Sequence, residues 1–536
     1  MAETTLERGP ATTNERLPEG WAYTLMDAAG KWLTGGTPSR KVREYFDGGI
    51  PWVKSGDLTD GYVERTEETI SAAGLANSAA KLLPPGTLSI ALYGATIGKL
   101  GILDMSAATN QACANCVVNP AVAINKFLFY YLRQQRQAFI EAGQGGAQPN
   151  LTNQIVREWP LLLPPLHEQE RIIACADDLF AHIKSARAHL FRVPALLKRF
   201  RQALLAAACS GRLTEDWRST NQDEQGARDC LATSLERRKK MWQACEAEKN
   251  GRKTGSSKVQ RRTKQYDAPF EPDLAMLTDD IPSTWVPATI SQLAILDVGF
   301  AFPSLEFRNS GIRLLRGENV EPGSLRWLDV KCWPRDQAAE FEHLMVQDGE
   351  SILAMDRPVV SSGLKLARAT AQDVPCVLVQ RVMRFKVPFP QVADFLHLRL
   401  QTSDFLRHVS GGLTGSDLPH ITGTDVAEYT FGLPPLAEQQ EIGRRVSALM
   451  AIADAIGKRV EVASAKAEQL TQSILAKAFR GELVSTEAEL ARREGREYEP
   501  ASVLLERIKK QRDSQTSSKP ERKRTRPRTT LVSAKG

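Results

Sequence analysis

The chain has 536 residues, of which 42% are hydrophobic and 25% charged, a length and composition typical of two to four globular domains. No apolar run reaches the roughly 18–20 residues of a membrane-spanning helix, and the polar N-terminus is unlike a secretory signal, so we expect a cytoplasmic protein. The net charge of +7 arises from two short segments, 236–264 and 505–536, each with eleven basic and three acidic residues. The rest of the chain is acidic, which excludes net charge as evidence for a basic DNA-binding face.

The first 162 residues contain short apolar runs separated by Gly and Pro turns, a pattern that predicts strands. Strands are expected at 88–92 and 116–118, and a helix at 125–142. We interpret 1–162 as an α+β module with a mixed sheet, the first head.

Two motifs in the first head suggest ligands but are incomplete. Cys113 and Cys116 form a C-x-x-C pair, yet no second pair or nearby histidine completes a zinc site, so free buried thiols are expected. The segment Gly94–Leu100 resembles a phosphate loop, but its spacing is one residue short and Leu100 replaces the Ser or Thr that reaches magnesium. We predict a glycine-rich turn between strands, on which Lys99 could still contact a phosphate.

A long helix is predicted within 163–215. It follows Leu163-Pro164-Pro165-Leu166-His167-Glu168-Gln169, and its apolar positions alternate in steps of four and three, as in a coiled coil. Pro-Pro sets its start, Gly211 is its predicted end, and Pro194 is expected to kink it or break one turn. The predicted seam includes Leu179, Ile183, Leu190, Leu197 and Leu204.

The same organisation follows a second time. After a charged linker, 216–275, comes a second head, 276–432, with strands expected at 351–354 and 377–379 and a helix at 392–409. A second coiled-coil helix, 433–484, and a basic C-terminal tail, 485–536, complete the chain. The second predicted seam includes Leu449, Ile456, Val460, Leu470 and Ile474.

The two helices repeat more strictly than the two heads. Leu433-Pro434-Pro435-Leu436-Ala437-Glu438-Gln439 repeats the first motif at an offset of 270, and this offset holds for nearly 80 residues. In the heads the offset drifts: Ile50–Leu58 matches Ile312–Val320, and Met355-Asp356-Arg357-Pro358 stands where the first head has Tyr93-Gly94-Ala95-Thr96. We expect the helices to pack on each other, the alternative being that each packs only on its own head. Helices repeated in strict register, together with heads that differ in most side chains, are typical of one scaffold that carries two domains with different binding specificities.

Polar and basic residues at predicted turns are the candidates for DNA contact, because Arg and Lys suit guanine, Asn and Gln suit adenine, and all of them bind phosphates. For each residue an ordinary solvated surface position is the alternative. In the first head the candidates are Lys54, Ser55, Tyr93, Thr96, Lys99, Asn110, Gln111, Gln148 and Asn150. In the second head they are Arg308, Arg316, Glu318, Asn319, Arg357, Lys365, Gln380 and Arg381.

Taken together, these motifs resemble the specificity subunits of type I restriction-modification systems. The resemblance covers nearly the whole chain. It is carried by Leu17–Trp21 (Leu-Pro-x-Gly-Trp), Ile50–Leu58, Tyr93–Gly98, Asn110-Gln111, the two Leu-Pro-Pro-Leu-x-Glu-Gln segments and Leu475–Leu483. The second head departs from the family pattern where Ile281-Pro282-Ser283-Thr284-Trp285 lacks the usual Gly.

The resemblance implies an α+β protein with two target-recognition domains, joined by two helices that form an intramolecular antiparallel coiled coil with pseudo-twofold symmetry. Each domain would read one half of a bipartite asymmetric site on double-stranded DNA. The helices would set the spacer and dock two methyltransferase subunits, which restriction/translocase subunits join. S-adenosylmethionine, ATP and Mg are expected on the partner subunits, and this chain is expected to hold no cofactor, metal or catalytic residue.

Two other functions remain open from the residues alone. One is a fused single-chain restriction or methylation enzyme. The Leu-Pro-Pro-Leu motifs resemble the Asp/Asn-Pro-Pro-aromatic motif of adenine methyltransferases, but Leu163 and Leu433 replace the amide or carboxylate, and no cofactor loop is found upstream. The other is a coiled-coil adaptor without a DNA role, against which the divergence of the heads argues.

Overall fold

A computed structural model describes residues 17–143, 150–221, 223, 225–251, 266–277, 281–411 and 420–517. They form two compact units. The first holds the described residues of 17–190 and 462–517, and the second those of 191–461. Each unit therefore contains one head and parts of both long helices.

The first head is built on two mixed sheets. Its helices are α1 (Ala72–Ala76), α2 (Asn125–Gln134), α3 (Arg136–Ala142) and α4 (Asn153–Arg157). Its strands are β1 (Ala22–Leu25), β2 (Gly30–Thr34), β3 (Phe46–Val53), β4 (Gly61–Val63), β5 (Glu68–Ile70), β6 (Leu88–Ala91), β7 (Leu100–Leu103), β8 (Ala108–Thr109), β9 (Cys113–Val118) and β10 (Pro160–Leu163). The orders are β2-β9-β6-β7-β4 and β5-β3-β8, and β1 pairs with β10. The β3–β8 and β4–β7 pairs are parallel and the others antiparallel, which confirms the predicted mixed sheet.

The second head has the same plan in shorter strands. Its helices are α8 (Ile290–Leu293), α9 (Pro390–Leu400), α10 (Ser403–Gly411) and α11 (Gly423–Ala427). Its strands are β11 (Val286–Thr289), β12 (Ile295–Val298), β13 (Ile312–Leu315), β14 (Val320–Glu321), β15 (Ser324–Leu325), β16 (Cys332–Trp333), β17 (Ser351–Ala354), β18 (Val359–Val360), β19 (Gly363–Leu364), β20 (Leu366–Arg368), β21 (Cys376–Leu378), β22 (Val382–Lys386) and β23 (Thr430–Leu433). The main sheets are β12-β22-β17-β20 and β16-β13-β21, and the pairs β11-β23, β14-β15 and β18-β19 complete the set. The strands and helices predicted in both heads are thus present.

The two long helices are α5 (Leu166–Cys209) and α12 (Leu436–Phe479), each of 44 residues. Of the kink or break expected at Pro194, the break is absent, because α5 is one continuous helix through that residue, and the kink stays a prediction. Both helices are followed by a glycine in the left-handed conformation, Gly211 (φ +80°) and Gly481 (φ +73°), as predicted.

Within each unit the helices run in opposite directions and contact each other. In the first unit Arg187 of α5 forms an ion pair with Glu468 of α12. In the second unit Arg201 pairs with Asp454 at 2.6 Å, and Leu197 packs on Gly457. The predicted mutual packing is therefore confirmed inside each unit.

The seam of these helices differs from the predicted one at two positions. Leu204 and Ile474 are buried, while Leu179, Ile183, Leu190, Leu197, Leu449 and Val460 are half-buried. Ile456 and Leu470, in contrast, are 40% and 52% exposed. Gly457 and Thr471, one residue further along, lie inward instead. The seam therefore includes small and polar residues, which a search for regularly spaced apolar residues does not detect.

Each head is fixed to its helices by the same buried hydrogen bond. Nε1 of Trp21 donates to Oε1 of Glu168 at 2.7 Å, and Nε1 of Trp285 donates to Oε2 of Glu438 at 2.8 Å. Burial raises the pKa of the Glu168 carboxyl, against the hydrogen bonds that lower it. The Trp and the Glu belong to the two motifs repeated along the chain, so the repeated sequence encodes the junction between head and helix.

The glycines after the helices complete this junction. A Cβ on Gly481 would lie 2.6 Å from Cγ of Pro18, and a Cβ on Gly211 would lie 2.6 Å from Cγ of Pro282. The proline of each head's first motif thus packs where the end of a helix has no side chain. Each head is held by the start of one long helix and the end of the other, within its own unit.

The regions predicted as linker and tail contain further helices. These are α6 (Glu215–Thr220), α7 (Gly226–Gly251), α13 (Glu487–Glu494) and α14 (Ala501–Ser517). Ala227, Cys230 and Ser234 of α7 are buried in the second unit, and Ala501 and Leu504 of α14 in the first. Arg238 and Ile508 are buried as well, so parts of the two basic segments, 236–264 and 505–536, are packed helix. This corrects the interpretation of 216–275 as a linker and 485–536 as a tail. Residues 252–265 and 518–536 lie outside the described residues.

Candidate nucleic-acid interface

Four chain segments of the first head meet at one face, three of them where strands β3, β6 and β8 end and the fourth at Asn150. N–H of Asn110 donates to the carbonyl of Val53 at 2.9 Å, so Lys54 and Asn110 leave the parallel β3–β8 pair side by side. N–H of Leu92 donates to the carbonyl of Ala112, and N–H of Leu151 to that of Leu92, both at 2.8 Å. These bonds place Tyr93, Gln111 and Asn150 next to one another.

The side chains on this face, which we call the first loop face, are Lys54, Tyr93, Asn110, Gln111 and Asn150. The hydroxyl of Tyr93 donates to the carbonyl of Gln111 at 2.6 Å, and burial raises the pKa of the phenol. The side chain of Gln111 bonds to the hydroxyl of Thr37. Gln111 and Asn150 are exposed. The face thus presents amides and a phenol on a hydrogen-bonded frame.

Lys54 is held by two carboxylates at the margin of this face. Its Nζ lies 2.9 Å from Oε2 of Glu67 and 3.0 Å from Oε1 of Glu68, and these hydrogen bonds raise the pKa of the lysine. Ser55 begins the short turn that follows, which Asp57 closes by accepting from N–H of Lys54 at 2.8 Å.

Thr96 and Lys99 lie in the glycine-rich turn between β6 and β7. The turn contains Gly94 (φ +68°) and Gly98 (φ +75°) and joins two antiparallel strands, as predicted, rather than a strand and a helix as in a phosphate loop. Oγ1 of Thr96 donates to the carbonyl of Tyr93 at 3.2 Å, and Lys99 is half-buried. Gln148, the remaining predicted residue of this head, lies outside the described residues.

The second head repeats the frame bond by bond. N–H of Val379 donates to the carbonyl of Leu315 at 3.1 Å, N–H of Met355 to that of Arg381 at 2.9 Å, and N–H of Ile421 to that of Met355 at 2.9 Å. The equivalent residues are therefore Lys54 and Arg316, Tyr93 and Asp356, Gln111 and Gln380, Ala112 and Arg381, and Asn150 and His420. The proposed match of Ile50–Leu58 with Ile312–Val320 is confirmed, whereas Met355 matches Leu92, one residue from the position expected.

The second loop face comprises Arg316, Asp356, Arg357, Gln380, Arg381 and His420. Asp356 accepts at Oδ1 from Nη1 of Arg381 at 2.9 Å and lies 2.8 Å from Nδ1 of His420. Arg316 pairs with Glu318 and lies 3.5 Å from Asp329. This face is more highly charged than the first loop face.

Two predicted residues of the second head support a turn and do not lie free on this face. Asn319 is buried, its Nδ2 donating to the carbonyl of Arg326 at 3.0 Å and its Oδ1 accepting from N–H of Arg316 at 3.0 Å. Nζ of Lys365 donates to the carbonyl of Gly317 at 2.7 Å. These two side chains stabilise the turn after β13, which corrects their assignment as DNA contacts. Arg308 is exposed on the loop before β13 and donates to the carbonyl of Phe307 at 3.2 Å.

Sequence reasoning missed Thr37, Asp356 and His420. His420 stands 270 residues after Asn150, so the helix offset would have found it. Asp356 was missed because the sequence comparison aligned Met355 with Tyr93, which placed Asp356 one residue out of register.

Other sites considered in the sequence are structural in the described chain. Cys113 and Cys116 are free and buried in β9, and burial raises the pKa of each thiol to about 12. No cluster of three or more His, Cys, Asp or Glu side chains suited to a metal ion occurs among the described residues. No helix in the described ranges is long and apolar enough to cross a membrane.

Comparison with known proteins gives a consistent result. The family model for the type I restriction modification DNA specificity domain matches residues 18–189 and 282–462. The type I restriction enzyme EcoDI specificity subunit of Escherichia coli is 30% identical over 432 residues, which cover 80% of this chain and 86% of that one. The EcoKI specificity subunit of Escherichia coli strain K12 is 24% identical over 523 residues, covering 95% of this chain and 99% of that one.

A solved chain from "Structural basis underlying complex assembly and conformational transition of the type I R-M system" has a similar fold. The TM-score is 0.58 at 16% identity, with 87% of this chain and 100% of that chain covered. At this identity the likeness supports the fold alone. The family match extends over both heads and most of both long helices, and it confirms the resemblance carried by the sequence motifs. The chain therefore belongs to the type I restriction modification DNA specificity family.

Proposed function

We propose that this chain is the DNA-recognition subunit of a type I restriction-modification complex, in which each head reads one half of a bipartite asymmetric site. One observation carries the proposal. The two heads hold different donor and acceptor groups at equivalent backbone positions, on frames that match hydrogen bond for hydrogen bond. Such a pair of surfaces suits two different short sequences better than one repeated ligand.

The residue types at these positions suit base edges and phosphates. Gln111 and Gln380 are equivalent, exposed amides, which can donate to and accept from adenine N7 and N6. Lys54 and Arg316 are equivalent cations that suit phosphate contact. Tyr93 and Asp356 differ in charge, as do Asn150 and His420, so the two heads would prefer different bases.

The long helices have a separate role in this proposal. Each contributes to both units, so their length sets the unspecified spacer between the two half-sites. They also dock two methyltransferase subunits, and restriction/translocase subunits complete the assembly. In this scheme the chain is non-catalytic, and S-adenosylmethionine, ATP and Mg bind to the partner subunits.

Sequencing of methylated adenines in a host with and without the gene tests this function. We expect one bipartite motif with two different halves to lose its methylation when the gene is deleted and to regain it when the gene is restored. A strain with intact partner subunits whose methylated motifs are unchanged by the deletion would contradict the proposal.

A further inference from the structure

The second loop face contains a cluster of one carboxylate, two arginines and a histidine that the first loop face lacks. Asp356, Arg357, Arg381 and His420 lie together, whereas the equivalent first-head positions hold Tyr93, Gly94, Ala112 and Asn150. From this cluster we infer that Asp356 and Arg381 together read a C·G base pair in the second half-site. The inference rests on the proposed function and names the base pair that the second head selects.

The carboxylate is held in place on one side only. Its Oδ1 accepts from Nη1 of Arg381 at 2.9 Å and lies 2.8 Å from Nδ1 of His420. Among the described residues, Oδ2 of Asp356 has no hydrogen-bond partner. The side chain is 39% exposed, so this oxygen is available to a donor from outside the protein.

Only part of the Arg381 guanidinium is hydrogen-bonded within the described residues. Its Nη1 donates to Asp356, and its side chain is 58% exposed. Its remaining N–H groups form no hydrogen bond to another described residue. Asp356 therefore fixes the guanidinium in position while most of its donor edge faces outward.

The backbone at this cluster is unusual. Arg357 and Arg381 have φ values of +44° and +63°, in the left-handed region that L side chains rarely adopt. At the position equivalent to Arg357, the first head has Gly94, which adopts φ +68° without a Cβ. Non-glycine residues in this conformation concentrate at binding and catalytic sites, where the surrounding structure holds them.

A C·G pair presents the matching groups in the major groove. Guanine offers the acceptors O6 and N7, which an arginine engages with two N–H groups, and cytosine offers the N4 amino donor, which a carboxylate accepts. Adenine suits Asp356 less well, because its N7 acceptor lies beside the N6 amino group and would repel the carboxylate. The first loop face, with a phenol at the position of Asp356, cannot make the same selection.

The test combines protein variants with modified bases, using the full-length chain co-purified with its methyltransferase subunits. Randomised half-sites first locate C·G positions in the second half-site. The guanine at each is then replaced by 7-deazaguanine, which lacks the N7 acceptor, and the cytosine by an analogue without the 4-amino group. We expect each replacement at one position to weaken binding of the unmodified protein by roughly 5- to 150-fold.

The variants decide which residue makes each contact. Arg381→Ala should bind DNA with and without 7-deazaguanine equally, and Asp356→Ala should be indifferent to loss of the amino group. Arg157→Ala, which removes an exposed ion pair with Asp27 and is not part of either loop face, should leave both responses unchanged. Because both side chains are exposed, an unaltered thermal unfolding curve is expected to show that the variants are folded.

Two results would overturn the inference. One is that Arg381→Ala and Asp356→Ala respond to the modified bases as strongly as the unmodified protein does. The other is that they weaken binding to all sequences equally, as phosphate contacts would. Absence of any base preference in the unmodified protein would instead overturn the proposed function itself.

Discussion

The most informative perturbation of the helices is an insertion of seven residues into each of them, where the two units meet along the chain. The sites are between Leu190 and Phe191 in α5 and between Glu461 and Val462 in α12. Seven residues are one heptad, so the seam keeps its face. The Arg187–Glu468 and Arg201–Asp454 ion pairs lie on opposite sides of the insertions and are both retained.

The size of the effect follows from helix geometry. Seven residues add about 10.5 Å to each helix. At about 3.4 Å per base pair, the unspecified gap should lengthen by about three base pairs. This longer gap also turns one half-site by roughly 100° about the DNA axis relative to the other. We therefore expect weaker binding together with a longer preferred gap.

The preferred gap is measured by selection from DNA in which both half-sites are fixed and the spacer length varies. The double insertion should shift the optimum by about three base pairs and leave both half-site sequences unchanged. An insertion into α12 alone is the control. It cannot keep both ion pairs in register, and it should lower binding at every gap length. An optimum that stays at the original length in the double insertion would refute the role of the helices as a spacer.

Three predictions concern stability. Trp21→Phe should lower the free energy of unfolding of the first unit by about 1–3 kcal/mol in denaturant titrations, because Oε1 of the buried Glu168 loses its indole donor while Oε2 retains N–H of Glu487. Trp285→Phe should act in the same direction on the second unit, where Glu438 retains Thr214 and Arg218 as donors. A change in the first unit below the measurement error would contradict the junction described above. Arg384→Met should cost the second unit about 3–5 kcal/mol, because this fully buried arginine neutralises two carboxylates, whereas Arg308→Met on the surface should have little effect. Burial lowers the pKa of His397 from 6.5 to about 4. Between these pH values the unfolded chain binds a proton at this histidine that the folded chain does not bind. The free energy of unfolding should therefore fall as pH drops from 6.5 to 4, by about 3 kcal/mol at most. His397→Gln should flatten that part of the stability profile, and an unchanged pH dependence would exclude this histidine as its source.

The helices could be predicted closely because local sequence determines them. Pro-Pro at the start, a 270-residue offset and glycines at the end bounded both elements. The seam was less accurate where small or polar residues face inward. Gly457 allows close approach of Leu197, and Thr471 satisfies its hydroxyl by donating to the carbonyl of Ala467 at 3.2 Å. A search for apolar spacing selects their exposed neighbours, Ile456 and Leu470, instead.

The helices in the linker and the tail were missed for a related reason. α7 and α14 are strongly charged, and only a few of their residues are buried. In α7 the buried positions include Ser234 and Arg238, whose polar groups bond to carbonyls, with Oγ of Ser234 donating to Cys230 at 2.8 Å. Packing against the head, rather than hydrophobic pattern, explains these helices.

The candidate interface was predicted only in part, because it depends on loops from distant parts of the chain. The match of β3 with β13 correctly gave Lys54 and Arg316, since flanking apolar residues fixed the alignment. The loop after β17 has no such marker, and a shift of one residue concealed Asp356. Asn319 was assigned to the surface from its residue type, although both ends of its amide form hydrogen bonds within the turn that it stabilises.

The central claim is that the two heads read two half-sites independently, and the equivalent amides Gln111 and Gln380 test it most directly. The measurement is selection from DNA with both half-sites randomised, using the chain with its methyltransferase subunits and either Gln111→Ala or Gln380→Ala. We predict that each variant relaxes base preference in one half-site only, that the two variants affect opposite halves, and that the gap length is unchanged. Relaxation of the same half-site by both variants, or of both halves by either one, would contradict the account.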